Sequence, residues 1–319
     1  MNPIHAHGLL LLAAFFWGSG NVAQKTVLQH IGPFTAAGVT CLIGACIIAP
    51  LAFRKARKWQ GHGMVLQLAS ILIVFACAIV AMQIGYGGTT VTNAGFLVNT
   101  SAAMTPLAAW IILREKPILL VWPAVALTLS GAWLMGGGVI SQVTWGDGVV
   151  LLAAALFAVW TPLVCGFLNA HGNPGLLTLL QFLFCGTVCL AIGLFSEHLS
   201  LHNLYLALPE LIIIGVLSKG LAYFLMAAAQ QHSSASVTAI IVSTEAVFGA
   251  LFASYLLGER MTSMGLTGAM LIIAGIIVIQ CPDLLNLHAS RRKLSQNKHK
   301  KLRNSIALSA RSPRRMQDD

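Results

Sequence analysis

The chain has 319 residues, of which 57% are hydrophobic and only 9% charged, with a mean hydropathy of +0.81. A soluble domain carries about 25% charged residues, so this composition cannot furnish a water-exposed surface and excludes a soluble globular protein. The formal charge of +10 does not point to nucleic acid either. Ten of the nineteen Lys/Arg and two Asp fall in residues 285–319, a net +8 that leaves +2 for everything before it.

The N-terminal MNPIHAHGLLLLAAFFWGSG lacks the basic n-region of a signal peptide, and its apolar run continues past the usual h-region. It is expected to stay as a first membrane span. Apolar windows then divide the chain into ten predicted helices, near 8–29, 33–53, 64–84, 92–113, 117–136, 147–168, 174–195, 206–229, 235–257 and 262–281. About 20 residues at 1.5 Å each cross the hydrocarbon, which suits these lengths. The breaks carry turn chemistry: Gly32-Pro33, the Arg54-Lys55 cluster, Gly85–Thr90, Glu115-Lys116-Pro117, Gly136–Gly138 and Asn173-Pro174. The fold expected is therefore all-α and membrane-integral. Seven cysteines lie within or beside apolar runs with no metal-ligand spacing, and read as packing residues.

Orientation follows from the basic residues of the short loops. With a cytoplasmic N-terminus, Arg54, Lys55, Arg57, Lys58, Arg114, Lys116 and the ten tail residues all fall inside. Arg260 falls outside, Lys25 near the outer end of the first span and Lys219 within the eighth. Both termini are expected in the cytoplasm.

Two stretches echo each other. Residues 94–116, AGFLVNTSAAMTPLAAWIILREK, match 235–260, ASVTAIIVSTEAVFGALFASYLLGER, at an offset of 144 that aligns Thr100 with Thr244, Leu113 with Leu257, Glu115 with Glu259 and Gly131 with Gly275. More loosely, Trp17 matches Trp160, and Gly32-Pro33 matches Asn173-Pro174. Five helices is an odd number, so the halves cross the membrane in opposite senses. The expected organisation is a first repeat over 1–140, a second over 141–284, and a basic tail over 285–319. Inverted repeats are the architecture of many secondary transporters.

On these motifs the chain resembles the EamA-type transporters of the drug/metabolite superfamily. The residues are Gln230-Gln231-His232-Ser233-Ser234-Ala235, Ser243-Thr244-Glu245-Ala246-Val247-Phe248 and Leu257-Gly258-Glu259-Arg260. The first half has its own version, from Thr89-Thr90-Val91-Thr92-Asn93-Ala94-Gly95-Phe96 through Thr105-Pro106-Leu107 to Arg114-Glu115. The resemblance covers about residues 8–281 and implies ten helices in two EamA repeats, a plasma-membrane location and movement of small metabolites. One departure stands out: members commonly carry proline after the glutamate matching Glu245, where this chain has Ala246. A straighter ninth helix is expected from its loss.

The sharpest candidates for chemistry are Lys219 and Glu245, each near the middle of its span, where a charge costs at least about 2.5 kcal/mol and calls for a partner or a task. Adjacent antiparallel helices bring them to one depth. One reading makes them a structural ion pair. The other makes them a substrate site, with Lys219 taking a carboxylate or phosphate, Glu245 balancing the charge or exchanging a proton, and Tyr223 one turn from Lys219 on the same face. Trp17, Asn21, Gln24 and Lys25 follow i, i+4, i+7, i+8 and form a polar face on the first helix. Trp17 and its repeat mate Trp160 either wall a cavity or pack. Asn99 and Ser101 correspond to Ser243 and Glu245, so one half alone carries the acid; Asn99 is a weaker site candidate, since small polar groups in membrane helices often join helices instead. Glu115 and Glu259, beside basic residues at helix ends, read as structural corners or as gate residues at the inner and outer mouths.

The tail, with Arg291-Arg292-Lys293 and Lys298-His299-Lys300-Lys301, is too polar to fold alone. As a cytoplasmic segment it would be drawn to anionic lipid, at about 1 kcal/mol per basic residue near the surface. No Walker A loop is present, and no cofactor is implied. The function expected is secondary transport, in the export sense, of a small polar metabolite such as an amino acid or related compound. A membrane-embedded transferase is the alternative, although the histidines are scattered through loops and tail rather than clustered.

Overall fold

The computed structural model describes residues 3–53, 63–137, 143–198, 200–257 and 262–280. The compact unit is Met1–Ile279; of a second unit, Gln280–Asp319, only Gln280 is among the described residues. The expectations for Glu259 and for the basic tail therefore lie outside the described residues.

Among the described residues, nine helices are long and apolar enough to cross a membrane: α1 Ile4–Gln29, α2 Pro33–Ala52, α3 Met64–Gly88, α4 Asn93–Leu113, α6 Trp145–His171, α7 Pro174–Ser196, α8 Leu208–Gln230, α9 Ala235–Phe252 and α10 Ser263–Gln280. A shorter apolar helix, α5 Val121–Met135, completes ten. It starts four residues later than the apolar window at 117. Arg114 ends α4 in the left-handed region at φ 56°, the chain runs irregularly to Ile118, and Pro123 sits in the first turn of α5, where its missing N–H is not needed. All other secondary structure among the described residues is also helical.

Caps set the helix starts where the turn residues were read. Asn173, at φ 57°, accepts from the backbone N–H of Leu176 and precedes Pro174 at the first position of α7. Thr144 and Asp147 form a reciprocal capping box at the start of α6. Thr90 and Ser234, separated by the repeat offset of 144, cap α4 and α9 in the same way, each accepting from the N–H three residues on.

Packing follows a pseudo-two-fold relation between the halves. α3 packs on α6 as α8 packs on α1, and α4 packs on α6 as α9 packs on α1. α2 and α7 pair with each other. α5 and α10 cross at Gly131, where an added β-carbon would stand 2.5 Å from the carbonyl oxygen of Gly268. At the related crossing a β-carbon on Gly275 would stand 2.8 Å from the carbonyl of Ala124. The offset of 144 converts one pair of positions into the other, so the small residues there are what let these two backbones touch. The described cysteines carry no disulfide.

Two features depart from regular helices. From Ile214 to Tyr223 α8 widens into a π-helix, and Gly215 and Gly220 in that stretch press against Ile43 and Ile47 of α2. In addition, α4 and α9 are both interrupted. Between Asn99 and Ser101, and again between Val242 and Glu245, the bonding tightens to i→i−3 contacts, Thr100 N–H to Leu97 and Thr244 N–H to Ile241. This overturns the straighter ninth helix expected from Ala246. Proline is not needed for the break: the side chains of Thr100, Ser243 and Thr244 each hydrogen-bond the carbonyl three residues back, at 2.6–2.7 Å, competing with the helix's own ladder.

Candidate functional site

The interrupted helices, the π-stretch of α8 and parts of α1, α3 and α6 line a cavity of ≈ 90 Å³. That leaves room for several water positions at about 10–15 Å³ each, or for a small organic molecule. Non-helical backbone at this depth is tolerated where it lines such a cavity, and both breaks do: Val98, Asn99 and Ser101 on one side, Val242, Ser243 and Glu245 on the other.

Six of the seven candidate binding residues line this cavity: Trp17, Asn99, Trp160, Lys219, Tyr223 and Glu245. The seventh, Asn21, stands one layer behind. Its amide donates to Glu245 Oε1 at 3.0 Å, while its own oxygen accepts from Tyr86 Oη and from Gln24 Nε2, each at 3.3 Å. Glu245, half-buried at the start of the second part of α9, is thus held from behind by a buried amide.

Lys219 is 5% exposed, yet it makes no hydrogen bond or ion pair with a described residue. Its backbone is pressed against α2, where a β-carbon on Gly44 would meet Lys219 Cβ at 2.9 Å. Its ammonium lies 5.3 Å from the centroid of the Tyr223 ring, a cation–π approach that offsets part of the desolvation. The charged atoms of Lys219 and Glu245 do not come within 4.0 Å of each other. The structural ion pair read from their equal depth is therefore not formed; both groups face the same cavity instead.

Tyr223 is the hub of an aromatic cluster. Trp17 meets it edge-on at 4.8 Å between centroids and Trp160 at 5.7 Å, with Phe75 and Phe182 behind at 5.3 and 5.7 Å. The two repeat-related tryptophans flank it with unequal freedom. The Trp160 indole donates to Gln181 Oε1 at 2.6 Å, whereas the Trp17 indole has no hydrogen-bond partner among the described residues. Asn99 spends its amide hydrogen on its own helix, at Gly95 O, 2.7 Å away.

The four-residue polar face of α1 divides. Gln24 lines the cavity with Trp17, but Lys25 turns to the C-terminal end of α3 and donates to the carbonyls of Tyr86 and of Thr89, the latter at 2.7 Å. Glu115 is exposed in the irregular stretch after α4 and forms no ion pair with Arg114. Ser218, Met82 and Thr161 also line the cavity and were not singled out from the sequence. Ser218 carried a signal, since it precedes the one lysine of the span. Met82 and Thr161 carried none, being ordinary residues of apolar helices. No cluster of three metal-ligating side chains is present among the described residues.

Such an arrangement, a small cavity with polar groups set in an apolar wall between two inverted halves, at the level of two broken helices, is shared by many membrane transporters. The chain belongs to the EamA-like transporter family, whose model matches residues 5–137 and again 144–281. It is 26% identical over 270 residues to an uncharacterized transporter of Archaeoglobus fulgidus, covering 85% of this chain and 84% of that one. It is 25% identical over 282 residues to the uncharacterized transporter YwfM of Bacillus subtilis, covering 85% and 92%. A chloroplastic WAT1-related protein of Arabidopsis thaliana is 22% identical, over 86% of this chain and 69% of that protein. A solved crystal structure shares the fold at a TM-score of 0.72 and 13% identity, covering 88% of this chain and 97% of its own.

Proposed function

We propose that this membrane transporter moves a small polar metabolite bearing an anionic group by alternating access, in the export direction across the plasma membrane. The observation that carries the reading is Lys219, a buried cation with no counter-charge in contact among the described residues, facing the cavity. A carboxylate or phosphate there would receive the charge-assisted hydrogen bonds that the protein itself does not supply. Glu245 stands ready for a cationic group or a proton, the Trp17 indole for an acceptor, and the Trp17–Tyr223–Trp160 wall for an apolar or planar portion. An amino acid or a related compound meets all of these demands. The transferase alternative has less support: the described residues place no nucleophile–base pair or metal cluster at the cavity.

Reconstituted protein should take up a carboxylate- or phosphate-bearing metabolite faster than empty liposomes do, and should respond to an imposed pH gradient. Uptake indistinguishable from protein-free vesicles across such a panel would overturn the reading.

Cytoplasmic termini are part of the proposal, supported by sixteen of nineteen Lys/Arg falling on that side. An alkaline-phosphatase fusion at the C-terminus should accordingly be inactive; an active fusion would reverse the orientation and with it the assignment of inner and outer mouths. The tail's contact with anionic lipid rests on its charge alone.

A further inference from the structure

The two ends of α6 mark the two faces of the bundle, and at each end the close of a helix is tied down in a related way. At the Trp145 end, the carbonyls of Tyr86 and Thr89 accept from the Lys25 ammonium. Thr89 also donates its hydroxyl to Asp147, and Asp147 completes the capping box of α6. At the His171 end, the carbonyls of Gln230 and Ser233 receive the thiol of Cys165, at 3.7 and 3.6 Å. Gln230 and Ser233 are the offset-144 counterparts of Tyr86 and Thr89. The same pair of carbonyls, closing the third helix of each repeat, is thus bound by a cation at one face and by a thiol at the other. A charge-assisted bond is roughly twice as strong as a neutral one, and a thiol is a weak donor.

The connection to the cavity is also one-sided. Tyr86 offers its carbonyl to Lys25 and its hydroxyl to Asn21, and Asn21 holds Glu245. Gln83 adds a bond from α3 to the Gln24 carbonyl of α1 at 3.1 Å. At the other end, Gln230 donates to the carbonyl of Thr161 at 3.3 Å and reaches no acid of the cavity.

We propose that Lys25 on Tyr86 and Thr89, and Cys165 on Gln230 and Ser233, are the paired gates of the transporter. Their unequal strength holds the resting protein shut at the Lys25 face, and the Asn21–Tyr86 link lets an occupant of Glu245 release that face. This rests on the alternating-access reading. Lys25 and Cys165 are positioning residues, since neither lines the cavity.

Hydrogen exchange on the full chain in nanodiscs, without substrate, tests it. Lys25→Met should speed exchange of backbone amides around 86–93 by about tenfold or more, the expected loss of one or two bonds to a charged group. Segment 230–237 should stay unchanged or become better protected. Lys25→Arg should retain protection at 86–93, and Cys165→Ala should change 230–237 by less than about threefold, as expected of a weak donor. Asp147→Asn, which weakens the same end without touching Lys25, supplies a second variant should Lys25→Met fail to fold. Unchanged exchange at 86–93, or equal acceleration at both ends, would overturn the proposal. Because exchange is read without substrate, wild-type protein that transports nothing would refute the transport reading while leaving this result legible.

Discussion

Replacing Lys219 with methionine is expected to lower the initial transport rate per folded molecule by about 30-fold or more, because losing a buried charge partner costs ~2–5 kcal/mol of binding. Thermal stability in detergent should stay the same or rise. No ion pair among the described residues is broken by the change, since the Lys219 ammonium contacts the Tyr223 ring and no described carboxylate, and an unpaired buried cation is a cost to the fold. Lys219→Arg should restore only part of the rate, because a forked guanidinium does not reproduce a compact ammonium in so small a cavity. A Lys219→Met protein that transports normally would remove the anion site from the mechanism. A strongly destabilised one would show that the lysine is needed for folding.

Glu245→Gln carries the second large effect. Asn21 can still donate to the glutamine carbonyl, so the bond seen at 3.0 Å has a substitute and the helix break should persist. What glutamine cannot do is release or accept a proton, or balance a cationic group. Stimulation of uptake by a pH gradient is expected to vanish, leaving gradient and no-gradient rates equal within about 20%, as for any step whose titrating group has been removed. Gradient dependence preserved in full would assign proton movement elsewhere. Combining Glu245→Gln with Lys219→Met should give no rescue of transport, because each side chain faces the cavity on its own account and neither neutralises the other by contact.

Much of this geometry was legible in the sequence, and the reasons are physical. Lys219 and Glu245 declared themselves because charge at the middle of a span is expensive, and the equal depth of their helices placed them at one cavity. Trp17 and Trp160 are paired by the internal repeat in the sequence itself. Inferring contact from equal depth went one step too far. Depth fixes position along the membrane normal, whereas contact also depends on helix rotation, and the widened turns of α8 at Ile214–Tyr223 alter that rotation. Those turns lie against Ile43 and Ile47 of α2, residues far away in the sequence, so no local signal announces them. The break of α9 was misjudged for a related reason: proline is one route to an interrupted ladder, and paired hydroxyls on Ser243 and Thr244 are another. Lys25 was seen as part of a polar stripe, but its length lets it reach past the stripe to the end of α3.

The crossing of α5 over α10 carries a consequence for motion. Gly131 against Gly268 and Gly275 against Ala124 are one contact seen twice, each generated from the other by exchanging the halves. When a carrier of this symmetry switches, the two halves trade conformations, and a contact that maps onto itself has no reason to change. Under the alternating-access proposal this crossing is thus a stationary axle, expected to be the same in every stage of the cycle. Substitutions there should alter how much intact carrier a cell holds without altering which way it prefers to face.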